Sequence, residues 1–204
     1  MAKLSLSGMV KAKLSIQGFQ AASNGRFWRR LQGQTHFVEI QRGMLNKEFT
    51  FNIGITFDGV PSAMHFQDIN LEKADVLDFC VYQRVGKLTG TRHDLWWSTS
   101  NWPEIVDATN CITKVCRRAL TRCLSKWGDG TGLLESIQFG RKSGEPHLGR
   151  TERHWYEISG FPMEPLTLLA LLRDRVDLAV QLEQQLTCPS RDFVSAKARI
   201  LRNT

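Results

Sequence analysis

Acidic residues are missing from the first 38 residues of this chain. Six basic residues precede Glu39, the first acid, and three of them stand among aromatic residues in the stretch RFWRR from Arg26 to Arg30. A second stretch, residues 110–128, has five basic residues and again no acid. The net charge of +7 comes from these two stretches, because acids equal or outnumber bases elsewhere. Such asymmetry favours a polyanionic partner, either nucleic acid or an acidic protein.

Long hydrophobic runs and metal-binding spacings are also missing. No apolar run approaches the ~20 residues of a membrane-spanning helix, so no membrane association is expected. The five cysteines include no C-x-x-C pair, and no histidine stands at a zinc-like spacing, so neither a metal nor a cofactor is expected. Reduced thiols and a cytoplasmic location follow as expectations. The N-terminus has some features of a transit peptide, but its apolar positions favour a short helix.

Alternating hydrophobic residues predict an antiparallel meander in the N-terminal half. In FTFNIGITF, residues 49–57, every second residue is apolar, which is the pattern of a half-buried strand. The stretch THFVEIQ, ending at Gln41, predicts the strand before it, and GRFWRRLQGQ predicts another that closes in a turn at Gln32 and Gly33. A fourth strand is predicted in DFCVYQRV. One face of this sheet is expected to be packed and the other open to solvent.

The C-terminal half is predicted to be helical. Asn101 is expected to cap a long helix, with Glu104 completing a capping box, and Gly128 is expected to end it. One side of this helix is apolar, and the opposite side carries a row of bases. Shorter helices are predicted near residues 133–137, across 165–186 as one bent helix or a helical hairpin, and near 190–201. Residues 140–153 are expected to form a mobile loop.

Together these elements predict a single α+β domain over residues 1–204. Residues 1–140 would hold an antiparallel sheet of three to five strands and the long basic helix. Residues 150–204 would form a helical C-terminal part that packs on them.

Several motifs in this order resemble those of the domain of unknown function (DUF) 4304 family of bacterial proteins. They are Gly18-Phe19, Phe27 to Arg29, Gln41, Phe49 to Gly54, Arg84 to Leu88 and Asp94 to Trp97. The resemblance continues through the basic helix into the helical tail, so it covers nearly the whole chain. Glu39 departs from the pattern, in which an asparagine is more usual. The resemblance supports the predicted fold and implies no established activity.

One group of residues is a candidate site for nucleic acid or a protein partner. Aromatic rings beside arginines can stack on bases, and a row of bases on a helix can follow phosphates. The group consists of Arg26, Trp28, Arg29, Arg30, Gln41, Asn52, Lys114, Arg117, Arg118 and Arg122. The alternative for the stretch RFWRR is that one face packs its ring into the core while the other carries solvated arginines.

A second group is expected to be structural. In this interpretation Arg84 and Asp94 pair to clamp a loop, while Trp96 or Trp97 fills the core. A tryptophan left on the surface would instead mark a partner site.

No catalytic residue is identified. Glu39 and Gln41 occupy an E-x-K-like strand of the kind found in metal-dependent nucleases, but a glutamine replaces the lysine and no acid precedes it. The five histidines are scattered, and no glycine-rich phosphate loop follows a strand. The sequence therefore predicts a non-enzymatic, cytoplasmic binding protein that contacts nucleic acid through the open side of the sheet and the basic helix. The alternative is a protein–protein interaction module, such as an immunity or accessory protein of a bacterial defence system. The third hypothesis is that the protein is an uncharacterised enzyme.

Overall fold

The computed structural model describes residues 5–23, 25–91, 93–136, 138–139, 146–147, 163–186 and 189–203. Most of the loop predicted at 140–153 lies outside the described residues. Its two described residues, Pro146–His147 (β8), pair with Gln138–Phe139 (β7) as a short hairpin.

The sheet has six antiparallel strands in the order β1-β2-β3-β4-β5, with β6 also paired to β4. They are β1 Gln20–Ala21, β2 Arg26–Leu31, β3 Gln34–Arg42, β4 Glu48–Phe57, β5 Val81–Arg84 and β6 Trp97–Ser98. The predicted turn has φ of 46° at Gln32 and 82° at Gly33, and a turn with positive φ at both central residues matches the twist of a hairpin. The α+β class and the antiparallel meander are confirmed, and the short strands β1 and β6 extend the predicted sheet.

The first face of the sheet forms the main core. Phe49, Phe51, Ile53, Ile55 and Phe57, the alternating residues of β4, are at most 1 % exposed. Helix α1, Leu6–Ser15, and a long helix beginning at Trp102 contribute apolar residues to the same core cluster. Burial of this apolar face, at about 25 cal/mol for each Å² removed from water, is the main term that holds the sheet to the helices.

The second face of the sheet is largely covered, so the prediction that it is open to solvent is wrong. Residues 58–80, which connect β4 to β5, fold back across this face, and we call them the covering segment. Their Ala74, Val76 and Phe79 form a second buried cluster with Phe37 of β3. The polar residues of β4 on this face are consequently buried as well. A connection of this length between adjacent antiparallel strands is long enough to form its own layer.

The predicted long helix is present but not uniform. It consists of α3 Trp102–Val115, a π-helical turn Cys116–Leu120 and α4 Thr121–Trp127, and it ends at Gly128 with φ of 54°. The predicted capping box is wrong, because the Asn101 side chain makes no cap and instead donates to Glu104 Oε1 at 2.6 Å. The other carboxylate oxygen of Glu104 accepts from the backbone N–H of Ser98 at 2.7 Å. Glu104 therefore ties the start of the helix to β6.

The other α-helices of the described residues have between 4 and 13 residues. They are α2 Val85–Leu88, α5 Thr131–Ser136, α6 Met163–Leu172, α7 Val176–Glu183 and α8 Arg191–Asn203. Of the two predictions for residues 165–186 the helical hairpin is correct, since α6 and α7 are separate helices. Both contribute to the same core cluster as the sheet. Within the described residues no helix is both long and apolar enough to cross a bilayer. None of the four cysteines there, Cys80, Cys111, Cys116 and Cys123, is in a disulfide.

Candidate binding surfaces

Arg29 lies beneath the long helix and is not available to a partner. It is 8 % exposed, and one guanidinium nitrogen donates to the Gln17 carbonyl at 2.8 Å while Nε donates to His36 Nδ1 at 3.2 Å. The guanidinium carbon lies 4.6 Å from the centre of the Phe19 ring. Burial lowers the pKa of Arg29, and the nearby Cys116 opposes that effect. Arg29 is therefore a packed cation that joins β2 to the segment after α1.

Arg26, Trp28 and Arg30 of β2 point to the second face. Arg26 Nε donates to Glu39 Oε1 at 3.0 Å, and its guanidinium also pairs with Asp75 at 3.5 Å. Trp28 packs against the second buried cluster, so its ring is engaged. Arg30 alone of the β2 arginines is exposed. The stretch RFWRR therefore does not form the predicted continuous basic surface.

The strand and the helix also do not share one surface. Phe27 and Arg29 point to the first face, where the long helix packs, whereas Arg30 points to the opposite face of β2. The combined surface predicted from the open side of the sheet and the helix is wrong for this reason. Each side of the sheet has to be considered separately.

The exposed side of the long helix carries four cations, which we call the basic face: Lys114, Arg117, Arg118 and Arg122. All four side chains are exposed, as predicted. Among the described residues no ion pair involves any of them. At about 1.5 Å rise per residue, they extend over roughly 12 Å of helix.

A polar row crosses the second face of the sheet. Arg26, Glu39, Asn52 and Arg84 lie directly opposite one another on β2, β3, β4 and β5. Asn52 Nδ2 donates to Glu39 Oε2 at 3.3 Å and to Gln41 Oε1 at 3.1 Å. The row lines a cleft of about 980 Å³ between the sheet and the covering segment. Three residues of the partner-binding prediction, Arg26, Gln41 and Asn52, thus come together in one place.

The second predicted group occupies the loop next to this cleft. Arg84 and Asp94 form an ion pair, and the Arg84 guanidinium carbon lies 5.7 Å from the centre of the Trp96 ring. Trp97 is buried against Phe49 and Phe51 with ring centres 6.0 Å apart in each case. Its indole Nε1–H donates to Asp107 Oδ2 at 3.0 Å. Trp97 is therefore the tryptophan in the core, and Trp96 is half-buried at the surface.

Sequence reasoning missed Glu39, Arg42 and Asp75 as residues of this site, and it considered Glu39 only as a nuclease-like acid and as a departure from the family pattern. The turn at Gln32 and Gly33 contained the missing signal. A two-residue hairpin turn fixes the register of its strands, and that register places Glu39 opposite Arg26. Within the described part of the chain no group of three or more histidine, cysteine or acidic side chains is arranged to hold a metal.

These observations define the structural class of the protein. It is an α+β protein whose antiparallel sheet is covered by helices on one face and by a long connection on the other. A family model described as domain of unknown function DUF4304 matches residues 10–126, and the chain belongs to that family. The match spans the sheet and the long helix and ends before α5, so it is narrower than the near-complete resemblance inferred from the motifs. No curated protein and no solved structure matches the chain.

Proposed function

We propose that this protein is a non-enzymatic binding protein that contacts nucleic acid through the basic face of the long helix. The observation that carries the proposal is the exposure of four cations on one helix whose other side is locked into the core. Duplex DNA carries one negative charge per ~1.7 Å of its axis, so a row of this length can meet several phosphates. Because the helix fixes the backbone positions of these cations, binding has to order only their side chains.

The proposal predicts sequence-independent binding that weakens with salt. Salt should weaken this binding steeply. With four phosphate contacts on duplex DNA, the logarithm of affinity would fall with the logarithm of salt concentration with a slope of roughly 3.6. We expect Arg117→Glu with Arg118→Glu to reduce both affinity and slope in fluorescence anisotropy with mixed-sequence DNA and RNA. The melting temperature should not change, because both side chains are exposed.

A matched control has the same change of net charge elsewhere. Arg30→Glu with Lys47→Glu alters two exposed residues outside the basic face, and it should keep most of the affinity. Equal losses in both double variants would indicate that only net charge matters and would contradict the proposal. An absence of binding at micromolar protein and low salt would reject it and favour the alternative. In that alternative this protein is a protein–protein interaction module, such as an immunity or accessory protein of a bacterial defence system, and the same cations dock an acidic partner.

We also propose a cytoplasmic location. The cysteines of the described residues support it, because none of them is in a disulfide and thiols remain reduced in that compartment. Burial raises the pKa of both Cys80 and Cys116 to about 12, so these thiols stay protonated and unreactive.

A further inference from the structure

The cleft on the second face presents hydrogen-bonding groups whose orientation the polar row fixes. Arg26 donates to Glu39, which holds that carboxylate as an acceptor. Because a carboxylate in this state only accepts, the Asn52 atom beside it is the amide nitrogen. Asn52 Nδ2 also faces Gln41, so the Gln41 atom in that contact is the carbonyl oxygen. The direction of every hydrogen bond from Arg26 to Gln41 follows from one ion pair.

This order leaves one acceptor on Asn52 and one donor on Gln41. Asn52 has used its amide nitrogen and retains Oδ1, while Gln41 has used Oε1 and retains Nε2. Neither remaining atom has a hydrogen-bond partner among the described residues. Both side chains line the cleft. The cleft therefore offers an acceptor and a donor from two hydrogen-bonded side chains, and a ligand that carries both a donor and an acceptor can meet them.

The charges of the cleft favour an anion at one end. Its charged lining consists of Arg26, Arg42, Arg84, Glu39 and Asp75. Arg26 is paired with Glu39 and Asp75, and Arg84 is paired with Asp94. Arg42 is exposed and forms no ion pair within the described part of the chain. It is the cation left to bind a negative group.

A base and a phosphate combine these two features in one molecule. Amide side chains recognise the donor and acceptor atoms on base edges, and arginine binds phosphate. A volume of about 980 Å³ lies within the range of small-ligand clefts. We propose that the cleft binds a nucleoside monophosphate, with its base edge on Gln41 and Asn52 and its phosphate on Arg42. Gln41 and Asn52 lie on the face of the sheet opposite the long helix, so their contacts do not depend on the basic face.

The proposal can be tested by calorimetric titration of the full chain with the four 5′-nucleoside monophosphates, their nucleosides and inorganic phosphate. At least one monophosphate should bind, and its nucleoside should bind about tenfold more weakly, since one charged hydrogen-bonding contact is lost. Arg42→Ala should weaken the monophosphate by about the same factor and leave the nucleoside unchanged. Gln41→Leu should weaken both.

The control variants are Arg30→Ala, an exposed arginine outside the cleft lining, and the double reversal at Arg117 and Arg118. Both should leave monophosphate binding intact, and every variant should melt near the temperature of the parent. Loss of DNA binding in the helix variant with retained monophosphate binding would separate this site from the proposed function. The inference is overturned if no monophosphate binds at millimolar concentration, if inorganic phosphate binds equally well, or if Gln41→Leu has no effect. Binding of an acidic peptide in place of every nucleotide would also overturn it.

Discussion

His36 is the centre of a buried polar chain beneath the long helix. Its Nδ1 accepts from Arg29, so the ring proton is on Nε2, which lies 2.8 Å from Gln34 Oε1. Gln34 in turn donates to the carbonyls of Gly128 at 2.6 Å and Cys123 at 3.3 Å. These carbonyls lie in the last turns of the helix and at Gly128, the residue that ends it. This series of side-chain hydrogen bonds thus joins β2 and β3 to the end of the helix.

The state of His36 predicts how stability depends on pH. Burial, followed by the charge of Arg29, lowers the pKa of His36 to about 3, well below about 6.5 in an unfolded chain. Between these values the unfolded chain binds the proton and the folded protein does not, so this contribution to stability is complete above pH ~6.5 and is lost as the pH falls towards 3. The free energy of unfolding should fall by up to about 1.4 kcal/mol per pH unit from this group.

Urea unfolding at several pH values between 7 and 3 measures this slope. His36→Gln should be less stable at pH 7 and should lack this component of the acid loss. His65→Gln is the matched control, because His65 is exposed, and it should retain the slope of the parent. An identical slope in the parent and in His36→Gln would contradict the assignment.

Gly54 is required by the covering segment. A Cβ added there would lie 2.7 Å from Cγ of Phe79, whose ring stacks on Phe37 at 4.6 Å. Gly54→Ala should therefore push Phe79 away and lower the free energy of unfolding by about 1–3 kcal/mol. Thermal melting measures the effect. Gly90→Ala is not a suitable control, because Gly90 has a positive φ that alanine rarely adopts. Gly43→Ala, at the exposed hairpin, should cost less, and the reverse order would contradict this role of Gly54.

At the scale of elements, hydrophobic periodicity predicted most strands and helices because each has a regular apolar face. It placed Phe49, Phe51 and Trp127 in the core correctly, and all three are buried. The π-helical turn had no such signal, since an apolar stripe tolerates one wider turn. The cap at Asn101 was predicted wrongly because Glu104 finds a backbone donor in β6, which is too short to show an alternating pattern.

The loop between α2 and β6 is expected to be held in place by the ion pair of Arg84 and Asp94. Asp94→Asn removes the carboxylate that pairs with Arg84, and Arg84 also lies over Trp96. The pair is partly exposed, so the loss of stability should be about 1 kcal/mol or less, with a change in tryptophan emission as Trp96 shifts. Asp68→Asn, at an exposed position in the covering segment, should change neither. Unaltered emission in Asp94→Asn would contradict the proposed clamp.

At the scale of the whole molecule, the covering segment explains why the predicted binding surface was wrong. A strand with alternating residues such as β4 is compatible with solvent on its second face, and residues 58–80 have no helical or strand periodicity to reveal that they form a layer. Phe79 of this segment and Gly54 of β4 come into contact only after the chain has folded back. The convergence of Arg26, Gln41, Asn52 and Arg84 on one cleft likewise depends on strand register, of which the sequence revealed only the part fixed by one turn.

The prediction of a single domain over residues 1–204 can be tested through α8. Phe193 of this helix is fully buried, and its ring lies 6.0 Å from that of Phe66 in the covering segment. If the C-terminal helices and the sheet unfold together, Phe193→Ala should lower the free energy of unfolding of the whole protein by about 3–5 kcal/mol. Tryptophan emission, which reports mainly on residues up to Trp127, and far-ultraviolet circular dichroism should then shift together in one transition. Val194→Ala changes the exposed neighbour and should leave the transition in place. Two separate transitions, with the tryptophan signal unmoved in Phe193→Ala, would show that the C-terminal helices form an independent unit.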